Sequence, residues 1–128
     1  MPVMPLKMQI AESLTALNQR NFPAFMGFVG EDAALDMPDG SRVIGAQSLR
    51  DTLAAFVMRH DIRFVDAVIM GDDTGSRGAA DVTVKAQQEP VDGGDGPSGG
   101  AVSLPGVIVF ERDDALFLRI SLYLSTAL

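Results

Sequence analysis

The stretch "ALDMPDGSRVIG", residues 34–45, sets one acid, Asp36, between two apolar residues and just ahead of a tight turn. A carboxylate at the end of a buried strand is a general base, because desolvation raises its pKa towards neutrality. The same residue on a strand's wet face is only a solvated or turn-capping charge. Side chains alternate faces along a strand, so strict alternation sends Leu35 and Met37 inward and Asp36 outward; one bulge reverses the assignment. A second candidate is "RISLYL", residues 119–124, which places Arg119, Ser121 and Tyr123 on one face and Ile120, Leu122 and Leu124 on the other. Tyr123 is the only tyrosine and can donate a hydrogen bond to a ligand carbonyl; Arg119 can pair with a carboxylate. Period-two alternation alone leaves open which of these faces is buried. His60, in "VMRHDIRF", is the only histidine and the obvious residue to titrate near neutral pH. It falls at the expected end of a helix, where the negative terminus favours a cation, and is read as structural or solvent-exposed.

These residues must be positioned by a chain of 128 residues, the size of one domain over 1–128 and long enough to bury a core without staples. There is no cysteine and one histidine, which removes disulfides, thiolate metal sites and multi-histidine metal sites; neither metal nor cofactor is expected. Seventeen acids against ten scattered bases give a net charge of −7, so neither nucleic acid nor an anionic membrane is an expected partner. The opening "MPVMPLKMQIAESL" reaches a lysine and a glutamate before any signal-peptide apolar run develops, and the expected location is the cytoplasm.

Helical spacing of Met8, Ala11, Leu14 and Leu17 predicts a first helix over Leu6 to Arg20. Asn21 ahead of a proline starts a second, short helix carrying Phe25, Phe28 and Val29 on one face, with Gly30 as its stop. Residues 33–37 predict a short strand, "PDG" a turn, and Val43 and Ile44 a return pairing. Leu49, Leu53, Phe56 and Val57 mark an amphipathic third helix over Ala46 to Arg59. Four strands follow, about Ile62–Met70, Ala80–Gln87, Val102–Glu111 and Leu116–Ser125. The stretch "EPVDGGDGPSGG" has five glycines, two prolines and three acids in twelve residues, and with its flanks (88–101) predicts a flexible hairpin loop. Helices first and strands last argue an α+β fold with an antiparallel sheet packed on the helices.

In their order, "ALNQRNFPAFMGFVGEDAAL", "GAQSLR" and "LPGVIVFERDDALFLRISLYLS" resemble the nuclear transport factor 2-like superfamily, and within it the SnoaL-like group. The resemblance implies a cone-shaped α+β barrel, a strongly curved antiparallel sheet wrapped around the three helices of the N-terminal half, with an apolar pocket at its open end. It also implies a homodimer through the outer sheet face. The ketosteroid isomerase pattern of this superfamily would put its tyrosine at Ser13, its aspartate base at Met37 and its second acid at Gly106, so all three groups are missing. The Arg-x-Asp pair of limonene epoxide hydrolases is absent from "DVTVKA", and their last-strand acid falls near Ser121. The resemblance turns Arg119, Ser121 and Tyr123 towards the pocket. A small, largely apolar organic ligand would then meet Ser13, Leu17, Met37, Leu53, Phe56, Arg119 and Ser121. If the pocket is catalytic, the chemistry is cofactor-free isomerisation, cyclisation or hydrolysis, with Asp36 as base, Tyr123 orienting the ligand and Arg119 stabilising charge. A non-catalytic ligand-binding or dimerisation module is the alternative.

Overall fold

The computed structural model describes residues 3–88 and 100–128. Helix α1 (Leu6–Asn18) buries Leu6, Ile10, Leu14 and Leu17. This stripe is rotated from the expected one: Met8 is half exposed, and Ile10 takes the inward place. Asn21 caps α2 (Phe22–Met26), its side chain accepting the Ala24 N–H at 3.2 Å, as the asparagine–proline pair predicts. The helix ends at Gly27 rather than at Gly30, and strand β1 (Val29–Asp36) begins four residues ahead of expectation. The reason is tertiary. The Phe117 N–H donates to the Phe28 carbonyl at 2.8 Å, and Val29 pairs with Phe117, so a distant strand claims backbone that local propensity leaves helical.

After the turn come β2 (Arg42–Ile44) and α3 (Ala46–Arg59), the latter with the bounds its apolar spacing predicts. Strands β3 (Arg63–Gly71), β4 (Arg77–Gln88), β5 (Gly100–Asp113) and β6 (Leu116–Leu124) complete the sheet. The expected hairpin loop falls, over 89–99, outside the described residues; the strands it joins are paired as far as Gln88 and Gly100. Strand β3 is interrupted by a bulge between Val65 and Val68, where Asp66 takes a φ of 54°. No helix among the described residues is long and apolar enough to cross a membrane.

The α+β class stands, but the antiparallel, strongly curved cone-shaped barrel does not. The sheet is open, neither closed nor strongly curled, in the order β2-β1-β6-β5-β4-β3. It is also mixed, because β1 runs parallel to β6 while the other neighbours are antiparallel. Closure needs the two outermost strands to pair, and here β2 and β3 are separate edges. Helix α1 packs on β3 and β4, and α3 on β1 and β2. Between helices and sheet lies a core that includes Phe25, Leu35, Leu53, Phe64, Phe110, Phe117, Ile120 and Leu122.

Candidate functional site

Alternation holds through the end of β1. Leu35 is fully buried among core residues, while Asp36 points to the sheet's other face. Register explains its company there. Asp36 lies opposite Arg42 on β2 and opposite Ser121 on β6, so a three-strand row brings the side chains together. Arg42 grips both carboxylate oxygens, and the Ser121 hydroxyl donates to Oδ2 at 2.8 Å. Arg119 Nη1 stands 3.8 Å from the same oxygen. Its Nε lies 2.6 Å from Glu111 Oε2, an ion pair whose angle is off the hydrogen-bond direction, and Glu111 in turn pairs with Arg77. The Arg42 hydrogen bond holds the Asp36 carboxyl below the usual aspartate range, with burial opposing and Ser121 assisting.

A carboxylate held that firmly by cations is a weak base. It is also a source of acid sensitivity. Because its pKa is depressed in the folded state, the stability it contributes is fully present above the unfolded value of about 3.9 and is lost as pH falls through the folded one. Melting temperatures measured from neutral pH downward are expected to show a shallower acid decline in Asp36→Asn than in the parent chain. Parallel curves would remove the network from any role in stability.

The same geometry turns the last strand over. Ile120 and Leu122 are 3% and 2% exposed and face the helices, with Leu124 beside them; Arg119, Ser121 and Tyr123 face outward, Tyr123 being 54% exposed. The expectation that these three polar residues line an interior pocket is thereby corrected. The reason is that helices cover the aliphatic face, which a strand pattern cannot reveal. Ser13 is buried in α1, its hydroxyl donating to the Gln9 carbonyl at 2.7 Å. Leu17 and Leu53 meet Phe25, Leu35, Phe64 and Phe110 around a residual void of only about 10 Å³. That is about one water-sized probe, too little for an organic ligand.

A space large enough for a ligand lies at the rim instead. A pocket of about 480 Å³ opens between the turn after β1, the C-terminal half of α3 and the segment after β6. This volume is in the range of small-molecule sites. The turn is built by the Gly40 N–H donating to the Met37 carbonyl at 2.9 Å, with Gly40 at a φ of 90°. It presents Met37, Pro38 and Asp39 to the pocket. Thr52, Phe56 and Arg59 recur at i, i+4 and i+7 along α3, on a stripe beside the core positions Leu49, Leu53 and Val57. Leu124 and Leu128 close the third side. Of the residues expected to line a pocket, Met37 and Phe56 come together here; Ser13, Leu17 and Leu53 are core, and Asp36, Arg119, Ser121 and Tyr123 belong to the outer face.

His60 also lines the pocket, and of the two expectations, structural or solvent-exposed, it fits the structural one: it is 7% exposed, and its ring packs edge-on against Phe56 at 5.2 Å. Its Nδ1 is buried with no hydrogen-bond partner among the described residues. The signal was in the sequence as its spacing from Phe56, four residues earlier and hence on the same side of the helix.

Residues 10–120 match the SnoaL-like domain family. Among solved structures, a "putative polyketide cyclase" from Xanthomonas campestris pv. campestris is 25% identical, covers 93% of this chain and 89% of its own, and superposes with a TM-score of 0.81. One of the same description from Pseudomonas putida is 27% identical over 94% of this chain and 91% of its own, also with a TM-score of 0.81. A "putative ketosteroid isomerase" from Kribbella flavida, 18% identical over 97% of this chain and 80% of its own with a TM-score of 0.75, shares the fold alone. No curated protein matches the chain.

Proposed function

Because the chain belongs to the SnoaL-like domain family, we propose that it binds a small, largely apolar organic molecule in the rim pocket. Any turnover there is cofactor-free acid–base chemistry: isomerisation, cyclisation or hydrolysis. The observation that carries the reading is the contrast of volumes, about 480 Å³ at the rim against about 10 Å³ in the interior. The relatives from Xanthomonas and Pseudomonas, described as polyketide cyclases, support an organic ligand. Ala55 lies exposed on the pocket wall, so Ala55→Trp fills the space without disturbing the core. Titration with 1-methylnaphthalene, followed by amide shifts, is expected to show at least about tenfold weaker binding in this variant, a difference of about 1.4 kcal/mol. Equal affinity in both proteins would place the ligand elsewhere.

The second reading is a non-catalytic ligand-binding or dimerisation module, and the placement of Asp36 favours it. The acid best placed by sequence to act as a base is committed to Arg42 and Ser121 on the opposite face. On that face Ile44, Val107 and Tyr123 are exposed around the charge network, an apolar rim suited to a second copy of the chain. In sedimentation experiments the parent protein is expected to run at twice its chain mass of 13.6 kDa, and Val107→Lys at the chain mass. A parent protein that sediments as a monomer removes the dimer.

A further inference from the structure

We infer that Asp36 is a positioning residue for the rim pocket: with Arg42 and Ser121 it fixes the turn 37–41 against the end of β6, and so sets the distance between two of the pocket's walls. The inference rests on the pocket reading above and deepens it, giving the acid of the outer face a part in binding at the rim. Asp36 and Ser121 are the last pair of the parallel β1–β6 ladder. Beyond them the two strands part. β1 enters the turn that presents Met37, Pro38 and Asp39, while β6 runs on to Leu124, and the pocket opens in the fork. The network stands at the base of that fork, where a small change of angle becomes a larger displacement of a wall.

The two walls are not equally secured. Strand β6 is paired with β5 as far as Leu124, and the Ser125 N–H donates to the Pro105 carbonyl at 3.1 Å. Strand β2 is three residues long, pairs with β1 alone and forms the sheet's margin. The turn itself is stiff, because the Met37 N–H donates to the Ser41 carbonyl at 2.9 Å and the Ser41 N–H to Asp39 Oδ1 at 2.8 Å. It therefore moves as a unit about its base. There Asp36 faces Arg42, whose Nη2 donates to Oδ2 at 3.0 Å, and the buried Ser121 hydroxyl donates to the same oxygen at 2.8 Å. One carboxylate oxygen thus ties the margin strand to the anchored one. The Arg42 side chain is 50% exposed, and an exposed ion pair adds little to stability. Its effect is preorganisation. A turn that swings leaves only a fraction of molecules competent to bind, and the apparent affinity falls by that fraction.

The test is the affinity for 1-methylnaphthalene, followed by amide shifts, in variants that leave the pocket lining intact. Asp36→Asn and Arg42→Met are each expected to weaken binding about threefold to tenfold, with added motion in ¹⁵N relaxation confined to 37–41. The double variant should weaken no further, because the two residues share one tie. Arg42→Lys should recover most of the loss. Arg77→Met is the matched control: it removes an ion pair of the same kind, with Glu111, on the same face but away from the fork, and should bind as the parent does. Arg42 is exposed, so its variants fold whatever becomes of Asp36→Asn. The inference is overturned, with the pocket intact, if Asp36→Asn and Arg42→Met bind as tightly as the parent while Ala55→Trp binds more weakly. It is likewise overturned if Arg77→Met loses as much, since the loss then belongs to the charge of the whole face. If Ala55→Trp binds like the parent, the pocket reading fails and takes the inference with it.

Discussion

Gly106→Asp is expected to lower the unfolding free energy by about 4 kcal/mol or more. The change restores the second acid of the ketosteroid isomerase pattern at the position where it would fall, yet the wall has no room for it. A Cβ on Gly106 would stand 2.9 Å from Val84 Cγ2, 3.1 Å from Leu124 Cδ2 and 3.1 Å from the Tyr123 carbonyl. Val84 is fully buried, so the overpacking cannot be relieved outward. The carboxyl would be forced among aliphatic side chains, and it would be protonated rather than ionised there. Urea unfolding is the measurement. Gly106→Ala should show the steric share alone, a smaller loss than the aspartate. A fully stable Gly106→Asp would mean that β5 and β6 separate more easily than their register indicates, and would reopen the isomerase comparison.

Arg112→Met is expected to cost about 3 kcal/mol, with the aliphatic stem retained and only the guanidinium lost. The side chain holds three connections at once. Nε donates to the Gly75 carbonyl at 3.1 Å, and Nη1 to the Met4 carbonyl at 2.6 Å and to Gln9 Oε1 at 2.9 Å. Gln9 is 1% exposed, and its own Nε2 donates to the Ala115 carbonyl at 3.1 Å. Removing the arginine leaves the buried Gln9 oxygen and two carbonyls without their donor, which is why the expected loss exceeds that of a surface residue. Denaturant unfolding reads the total. Gln9→Leu combined with Arg112→Met should cost less than the sum of the single changes, because the pair shares one network. Strict additivity would show that the two act separately.

Local signals located the elements well where the structure they encode is local. Asn21 and its proline start α2, four apolar residues set both ends of α3, and the Pro-Asp-Gly turn returns Val43 onto Leu35. What resisted reading depends on partners far apart in the chain. Pairing of Val29 with Phe117 moves the start of β1, and the parallel run of β1 beside β6 unites Asp36 with Ser121 across 85 positions. Alternation in 119–124 defines two faces, but only the helices decide which is core. For the same reason the interior holds less space than the sequence suggests: Leu17 and Leu53 are individually plausible lining residues, and only their joint packing with Phe110 fills the space. Position at a helix end leaves His60 either structural or solvent-exposed, and burial selects the first because the turn after β1 and the segment after β6 come to the same end of α3.

The bulge at Asp66 has a bearing on how these molecules behave when crowded. Strand β3 is an open edge, and its exposed Val68 and Met70 make it an inviting template for strand addition by another chain. Its ladder with β4, however, is broken between Val65 and Val68, and the positive φ at Asp66 twists the outward row of amides and carbonyls out of line. An incoming strand can dock on one side of the break or the other, but not along the whole of β3. The opposite edge, β2, is three residues long and carries Arg42. Both open margins of the sheet are thus interrupted or short, which lets the protein keep an unclosed sheet without growing into ribbons.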